Sequence, residues 1–507
     1  MAPDHAAGNG RFRWLDALAA TIGLALLLYT VLRALQVPFT HDESLSYLHY
    51  VSKDLRTILT FDGPERANNH LLNSLLAKTT SSVFGVSEFT LRLPNLIAHA
   101  SLLLFSWLIL RSVAPPLVAL SGFLLANFNR HLLELLSLER GYGLSLGFLL
   151  PATYCLLGSV TKPPSWRRDS LALLLLGLGV LSQFVILDVF LAAGVVLGLA
   201  HATNLPREIR QRRVRHLFNR LMPLFLAAAV LAMAVGPILF TIASSGGFYT
   251  GGRQGIWLET VTSLVWLTLL PAPYTHAVQP FVLAAIAGTA ILIALNGLFL
   301  LARRVSIDSS TRGRLALVGL FAVTLVIVKT QSLLLGVNTP TDRIGIFLIP
   351  LFWIAAAASI SSLEAVPRAA FRHVEAGLLA AMALAASLHT RRILDVEKSH
   401  LWWFDADVRD VLADLQIAQE VSGRTEPLHL GSVSHCQPAL NFYAVTLNLA
   451  WLDPVVRVNS PSRGLDYYYG TVDEEELVRR SGLRIVKRYP RTGNILAAWP
   501  GMAPERP

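Results

Sequence analysis

Two adjacent carboxylates, Asp42 and Glu43, occur in the stretch PFTHDESLSYLHY (residues 38–50), directly after a long apolar run. Partial desolvation at a membrane surface raises the pKa of a carboxylate, which suits such a group to take a proton from a hydroxyl; either acid fits that role. Further polar groups gather near the ends of other apolar runs: His70 in ERANNHLLN, Glu88 and Arg92 in GVSEFTLRLPN, Glu139, Arg140 and Tyr142 in LERGYG, and Asp342 and Arg343 in NTPTDRIGIFLIP. Arginine suits a phosphate held at headgroup level, because its planar fork meets phosphate oxygens in pairs and stays charged. Arg92, Arg140 and Arg343 therefore pair naturally with a lipid-linked phosphate. A sugar leaving such a phosphate for an acceptor hydroxyl needs a base, and the acidic pair supplies one.

Each residue also has a plainer reading. Glu88 and Arg92 are four apart and make an ordinary helical ion pair; Arg140 and Arg343 snorkel to headgroups; His70 is a hydrogen-bonded loop residue. Their joint placement favours function, since ionisable groups at membrane depth are costly.

The elements that position them follow from composition. The chain has 507 residues, 53% hydrophobic and only 15% charged, with a mean hydropathy of +0.51. That is a polytopic membrane protein, not a soluble domain. A spanning helix needs roughly 20 apolar residues, and eleven stretches qualify: 14–36, 92–110, 115–129, 141–160, 170–185, 186–201, 221–243, 280–302, 314–331, 344–362 and 374–389, of which 115–129 and 186–201 are short. The first has a longer apolar core than a cleavable leader and no small-residue cleavage site, so it is expected to stay as an anchor.

Lys and Arg mark cytoplasmic loops. Arg11 and Arg13, Arg111, TKPPSWRRD, NLPREIRQRRVRHLFNR, RRVSIDSSTRGR and EAVPRAAFRHVE fall on one side, which predicts the N-terminus inside and the C-terminal tail outside the cytoplasmic membrane. The net charge of +10 is then a matter of topology, and no nucleic-acid partner is expected. Cys155 and Cys436 fall on different elements and no disulfide is expected.

The expected organisation is a membrane domain, 1–389, with outer loops 37–91, 244–279 and 329–343, followed by an extracytoplasmic domain, 390–507. Alternating helical and strand patterns in the tail predict a small α/β fold: helices in DADVRDVLADLQIAQEV, QPALNFYAVTLNL and DEEELVRRSG, strands in PLHLGS, VVRV, RIVKRYP and NILAAW. The Tyr-rich SRGLDYYYGT is expected to pack. LLNSLLAKTTSSVFG and VTSLVWLTLLPAP are apolar at helical spacing but polar or too short to span, and are expected to lie in the interface.

Together THDESLSYLHY, NNHLLNSLLAKTTSSVFGVSEFTLRLPNLIAHA, ERGYGLSLGFLL and DRIGIFLIPLF resemble integral membrane glycosyltransferases of the C-type fold, in particular the bacterial branch related to protein O-mannosyltransferases and lipid A aminoarabinose transferases. The resemblance covers about residues 14–360, and LWWFDADVRDVL and LNFY are similar to the tails of some bacterial members. Where many relatives carry His-Pro-Pro, this chain has NHLL.

The resemblance implies an inverting transfer of a sugar from a polyprenyl-phosphate donor to a lipid, glycan or protein acceptor on the outer face. Asp42 would be the base and Glu43 would position acceptor or metal. Arg92, with Arg140 or Arg343, would hold the donor phosphate, and His70, Glu88, Glu139, Tyr142 and Asp342 would contact substrate. Dependence on a divalent metal is left open. The rival readings are a lipid-linked sugar flippase or transporter, for which polar residues at mid-depth in broken, repeated helices are expected, and a catalytically silent membrane assembly protein.

Overall fold

The computed structural model describes residues 5–202, 214–244, 251–302, 308–363 and 371–500. Parts of the basic loops expected inside, at 203–213, 303–307 and 364–370, lie outside these. The chain forms two compact units, one of residues 1–30, 70–73 and 94–394, the other of residues 31–69, 74–93 and 395–507.

The first unit is helical. Nine helices among the described residues are long and apolar enough to cross a bilayer, and they cover nine of the eleven stretches. The other two form Pro116–Asn127, 12 residues, and Trp166–Ser182, 17 residues. At 1.5 Å per residue these reach only ~18 and ~26 Å, short of a hydrocarbon core about 30 Å thick. Phe225, Met233, Phe240, Phe281 and Val326 leave more than half of their surface uncovered, as suits helices whose solvent is lipid. Inside the unit, small residues bring backbones together. A Cβ on Gly147 would collide with Ala98, and one on Gly141 with the Ser182 carbonyl and His70.

The second unit carries a five-stranded sheet. Its strands are β1 (Leu430–Ser432), β2 (Val456–Arg457), β3 (Tyr467–Gly470), β4 (Arg484–Arg488) and β5 (Ile495–Ala498), in the order β2-β1-β3-β5-β4. β1 runs parallel to β2 and β3, while β5 runs antiparallel to β3 and β4. The YYYG segment, expected only to pack, is the central strand, with all four residues buried. Helices Val408–Ser422 and Gln437–Thr446 supply Val411, Leu415, Leu440 and Phe442 to the core. Phe39, Tyr47, Val51, Ala77 and Leu91 belong to that same core. The segment after the first long helix is thus built into the unit that holds the tail.

Helix Glu88–Val113 starts before the expected residue 92, because Ser87 caps it: its Oγ accepts the Thr90 N–H at 3.2 Å while its own N–H donates to Thr90 Oγ1 at 3.0 Å. The two segments expected in the interface form helices Leu71–Phe84 and Thr262–Leu269, neither long enough to span. Cys155 and Cys436 are both free thiols.

Candidate active site

The HDES motif folds as a short helix, His41–Ser46. Thr40 in extended conformation caps it, and Glu43 three residues on closes a capping box. Glu43 is fully buried, and its Oε2 accepts from the Thr40 N–H and hydroxyl, both at 2.9 Å. Arg92, equally buried, donates from Nε to Glu43 Oε1 at 2.8 Å and from Nη2 to Oε2 at 2.6 Å. Its remaining N–H groups go to the carbonyls of Ala34 (3.0 Å), Val37 (2.8 Å) and Pro38 (3.1 Å).

A guanidinium has five N–H donors, and all of them are engaged here within the chain. In this arrangement Arg92 has no N–H donor left over for the lipid phosphate expected of it, which favours a structural role. Glu43 is held in the same way: its Oε2 accepts three hydrogen bonds and its Oε1 one, all from Thr40 and Arg92, so most of its accepting capacity goes to the fold. Burial of both partners turns this pair into a brace for the turn that carries Asp42.

Asp42 itself is buried, with 8% of its surface exposed. Its carbonyl accepts from Asn68 Nδ2 at 2.8 Å, which ties the helix to the residues before His70 in sequence. Near it stands Asp405, from the 3-10 turn Trp403–Asp405, with no exposed surface. Asp405 Oδ2 accepts the His41 N–H at 2.7 Å. Burial, then the negative charges of Asp42 and Glu43, push the Asp405 carboxyl well above the usual carboxylate range, against the pull of that His41 N–H. Sequence reasoning missed Asp405 entirely.

Glu88 does not pair with Arg92 in the helical manner. Its Oε1 accepts from Arg409 Nη2 at 2.6 Å and from the Tyr443 hydroxyl at 2.7 Å. Glu88 thereby anchors a charged cluster contributed by the tail.

The first unit brings a different set together. Tyr142 is buried, with Arg140 over its ring at 5.8 Å and Arg343 Nε donating to its hydroxyl at 3.2 Å. His70 meets the same ring edge-on at 5.1 Å between centroids. Glu139 accepts from Asn73 Nδ2, and Asn73 Oδ1 accepts from Asn95 Nδ2 at 2.8 Å. Asn73 and Asn95, which sequence reasoning did not single out, thus fix Glu139. Asp342 is exposed, and its N–H donates to Ser263 Oγ at 2.9 Å.

This unit also holds a half-open apolar cavity of about 910 Å³, lined by Trp257, Phe281, Phe352 and Trp353, with His389 and Arg392 among the few polar residues on its wall. His389 is locked between the Tyr274 hydroxyl (2.9 Å) and the Thr268 carbonyl (3.1 Å). Among the described residues no group of three or more His, Cys, Asp or Glu side chains is arranged to hold a metal ion.

No protein-family model matches the sequence, and no curated protein does. Among solved structures the chain is similar to ArnT from Cupriavidus metallidurans bound to undecaprenyl phosphate, at 12% identity over 98% of this chain and 100% of that one, with a TM-score of 0.49. It is also similar to the archaeal oligosaccharyltransferase AglB from Archaeoglobus fulgidus in complex with an inhibitory peptide and a dolichol-phosphate, at 12% identity over 89% and 70%, with a TM-score of 0.40. Both scores lie below 0.5, which leaves the functional assignment to the chain's own residues.

Proposed function

We propose that the chain is a membrane glycosyltransferase of the C-type fold that moves a sugar from a polyprenyl-phosphate donor to an acceptor hydroxyl on the outer face of the cytoplasmic membrane. The observation that carries this reading is Asp42: a buried carboxylate on a helix whose cap, flanking carbonyls and flanking amides are all held by named side chains. A solvated acid at a helix exit needs no such scaffold.

In the proposed reaction Asp42 takes the acceptor's hydroxyl proton as the oxygen bonds to the anomeric carbon. The carbon–oxygen bond to phosphate breaks on the opposite face, the phosphate keeps the electron pair, and the anomeric centre inverts. With Arg92 committed elsewhere, Arg140 and Arg343 are the side chains proposed to hold the donor's phosphate. The cavity, at the upper end of the roughly 300–1,000 Å³ usual for small-molecule pockets, has the apolar wall that a polyprenyl chain requires.

The test is to incubate the purified protein with labelled polyprenyl-phosphate sugars and identify what becomes labelled. Label should pass to an acceptor, and Arg343→Ala should raise the donor KM by about tenfold or more, since a charge-assisted contact to phosphate is lost. Movement of the lipid-linked sugar across liposome membranes with no transfer would replace the enzyme reading by the flippase one. Cysteine-accessibility labelling should find residue 62 and the tail beyond 395 outside and residues 207–215 inside; a cytoplasmic tail would contradict the outer-face assignment.

A further inference from the structure

Three main-chain groups just before Asp42 are held by side chains of the tail. The Gln36 carbonyl accepts from Arg409 Nη1 at 3.2 Å. The Phe39 N–H donates to the Tyr443 hydroxyl at 2.8 Å. The His41 N–H donates to Asp405 Oδ2 at 2.7 Å. The extended segment between the first long helix and the HDES helix therefore takes its path from residues more than 350 positions later in the chain.

The holders are themselves fixed. Tyr443 donates to Glu88 Oε1 at 2.7 Å and accepts from Arg409 Nε at 3.1 Å, and the neighbouring Phe442 stacks on Phe39 with centroids 4.1 Å apart. Asp405 has no exposed surface, and its Oδ1 has no hydrogen-bond partner among the described residues. The His41 ring donates from Nδ1–H to the His435 carbonyl, 2.8 Å away. A side chain that served only to glue the tail in place would not need to reach the amides on either side of Thr40.

We propose that Tyr443 and Asp405 are positioning residues of the transfer reaction, setting the main chain that aims the Asp42 carboxylate, so that the tail is part of the catalytic apparatus and not an appendage. This rests on the glycosyltransferase reading. Misplacement of a reacting group by about 1 Å costs on the order of 100-fold in rate, and loosening by one hydrogen bond lies below that.

The test uses the full-length purified protein and the variants Tyr443→Phe, Asp405→Ala and Asp405→Asn, with the folded fraction measured by gel filtration. Tyr443→Phe and Asp405→Ala should each lower kcat per folded molecule about tenfold, with the donor KM within about twofold. Asp405→Asn, which keeps an oxygen acceptor for the His41 N–H and carries no charge, should recover most of the lost rate. Hydrogen–deuterium exchange, which needs no reaction, should show the 37–46 segment exchanging roughly tenfold faster in Tyr443→Phe and Asp405→Ala. An unchanged kcat per folded molecule in both, or equal losses in Asp405→Ala and Asp405→Asn, would overturn the proposal. If the wild type transfers no sugar, the transfer reading falls and the positioning role with it, while the exchange result still decides whether the tail sets this segment.

Discussion

An Asp42→Asn variant is expected to fold, bind donor and turn over roughly 100-fold or more slowly than the wild type. Asparagine keeps the size and most of the hydrogen-bonding shape of the aspartate but cannot accept the hydroxyl proton. Because the Asp42 main chain is fixed by Asn68 and by the neighbouring His41–Asp405 bond, the substitution should leave the scaffold in place. The acid limb of the pH–rate profile should vanish with the rate, since activity that depends on an ionised base falls as pH drops through its pKa. An acid that merely meets water at a helix exit behaves otherwise: its removal shifts stability by within about ±0.5 kcal/mol and leaves the rate alone. Steady-state kinetics on the two proteins separate these outcomes, and near-normal turnover would withdraw the catalytic assignment from the HDES motif.

Arg92→Ala is expected to damage folding before it touches binding. The substitution leaves the Glu43 carboxylate buried without its bidentate partner and removes the donor from three carbonyls. Breaking a buried pair from one side costs about 3–5 kcal/mol. A thermal melt in detergent should therefore show a large loss, and the yield of monodisperse protein should fall with it. Lysine should not rescue, since three donors on a point charge cannot serve two carboxylate oxygens and three carbonyls. Adding Glu43→Gln to Arg92→Ala should recover only part of the loss, because Ala34, Val37 and Pro38 still lack their donor. A stable, well-folded Arg92→Ala with a selective defect in donor affinity would restore the phosphate role that the geometry denies it.

The contrast between Asp42 and Arg92 shows how far a sequence can be taken. Apolar length found the long helices, and period-two and helical patterns found most of the tail: a helix anticipated at 405–421 forms as Val408–Ser422, and strands anticipated in PLHLGS and NILAAW form as β1 and β5. The central strand β3 escaped because Tyr467–Gly470 is buried on both faces and so shows no alternation. At the site, a charge at membrane depth looks the same whether it waits for a ligand or braces the backbone. Only counting the donors of Arg92 against their acceptors tells the two apart. Asp405 was illegible for another reason: it meets His41 across 364 positions of chain, and nothing local marks an aspartate in FDADVRD as different from its neighbours.

The shared core of Phe39, Tyr47, Val51, Ala77 and Leu91 with the tail has a consequence for how the protein is made. Residues 31–69 and 74–93 leave the ribosome early, whereas the rest of their unit begins at residue 395, after roughly 300 further residues; at about 5–20 residues per second that is on the order of 15–60 s. Throughout that interval the first loop has emerged while most of its core does not yet exist, and its apolar side chains need a membrane surface or a chaperone to rest against. A chain stopped before residue 395 would keep its long helices yet hold a first loop that cannot mature. Quality control that inspects this loop would therefore be able to tell finished chains from unfinished ones.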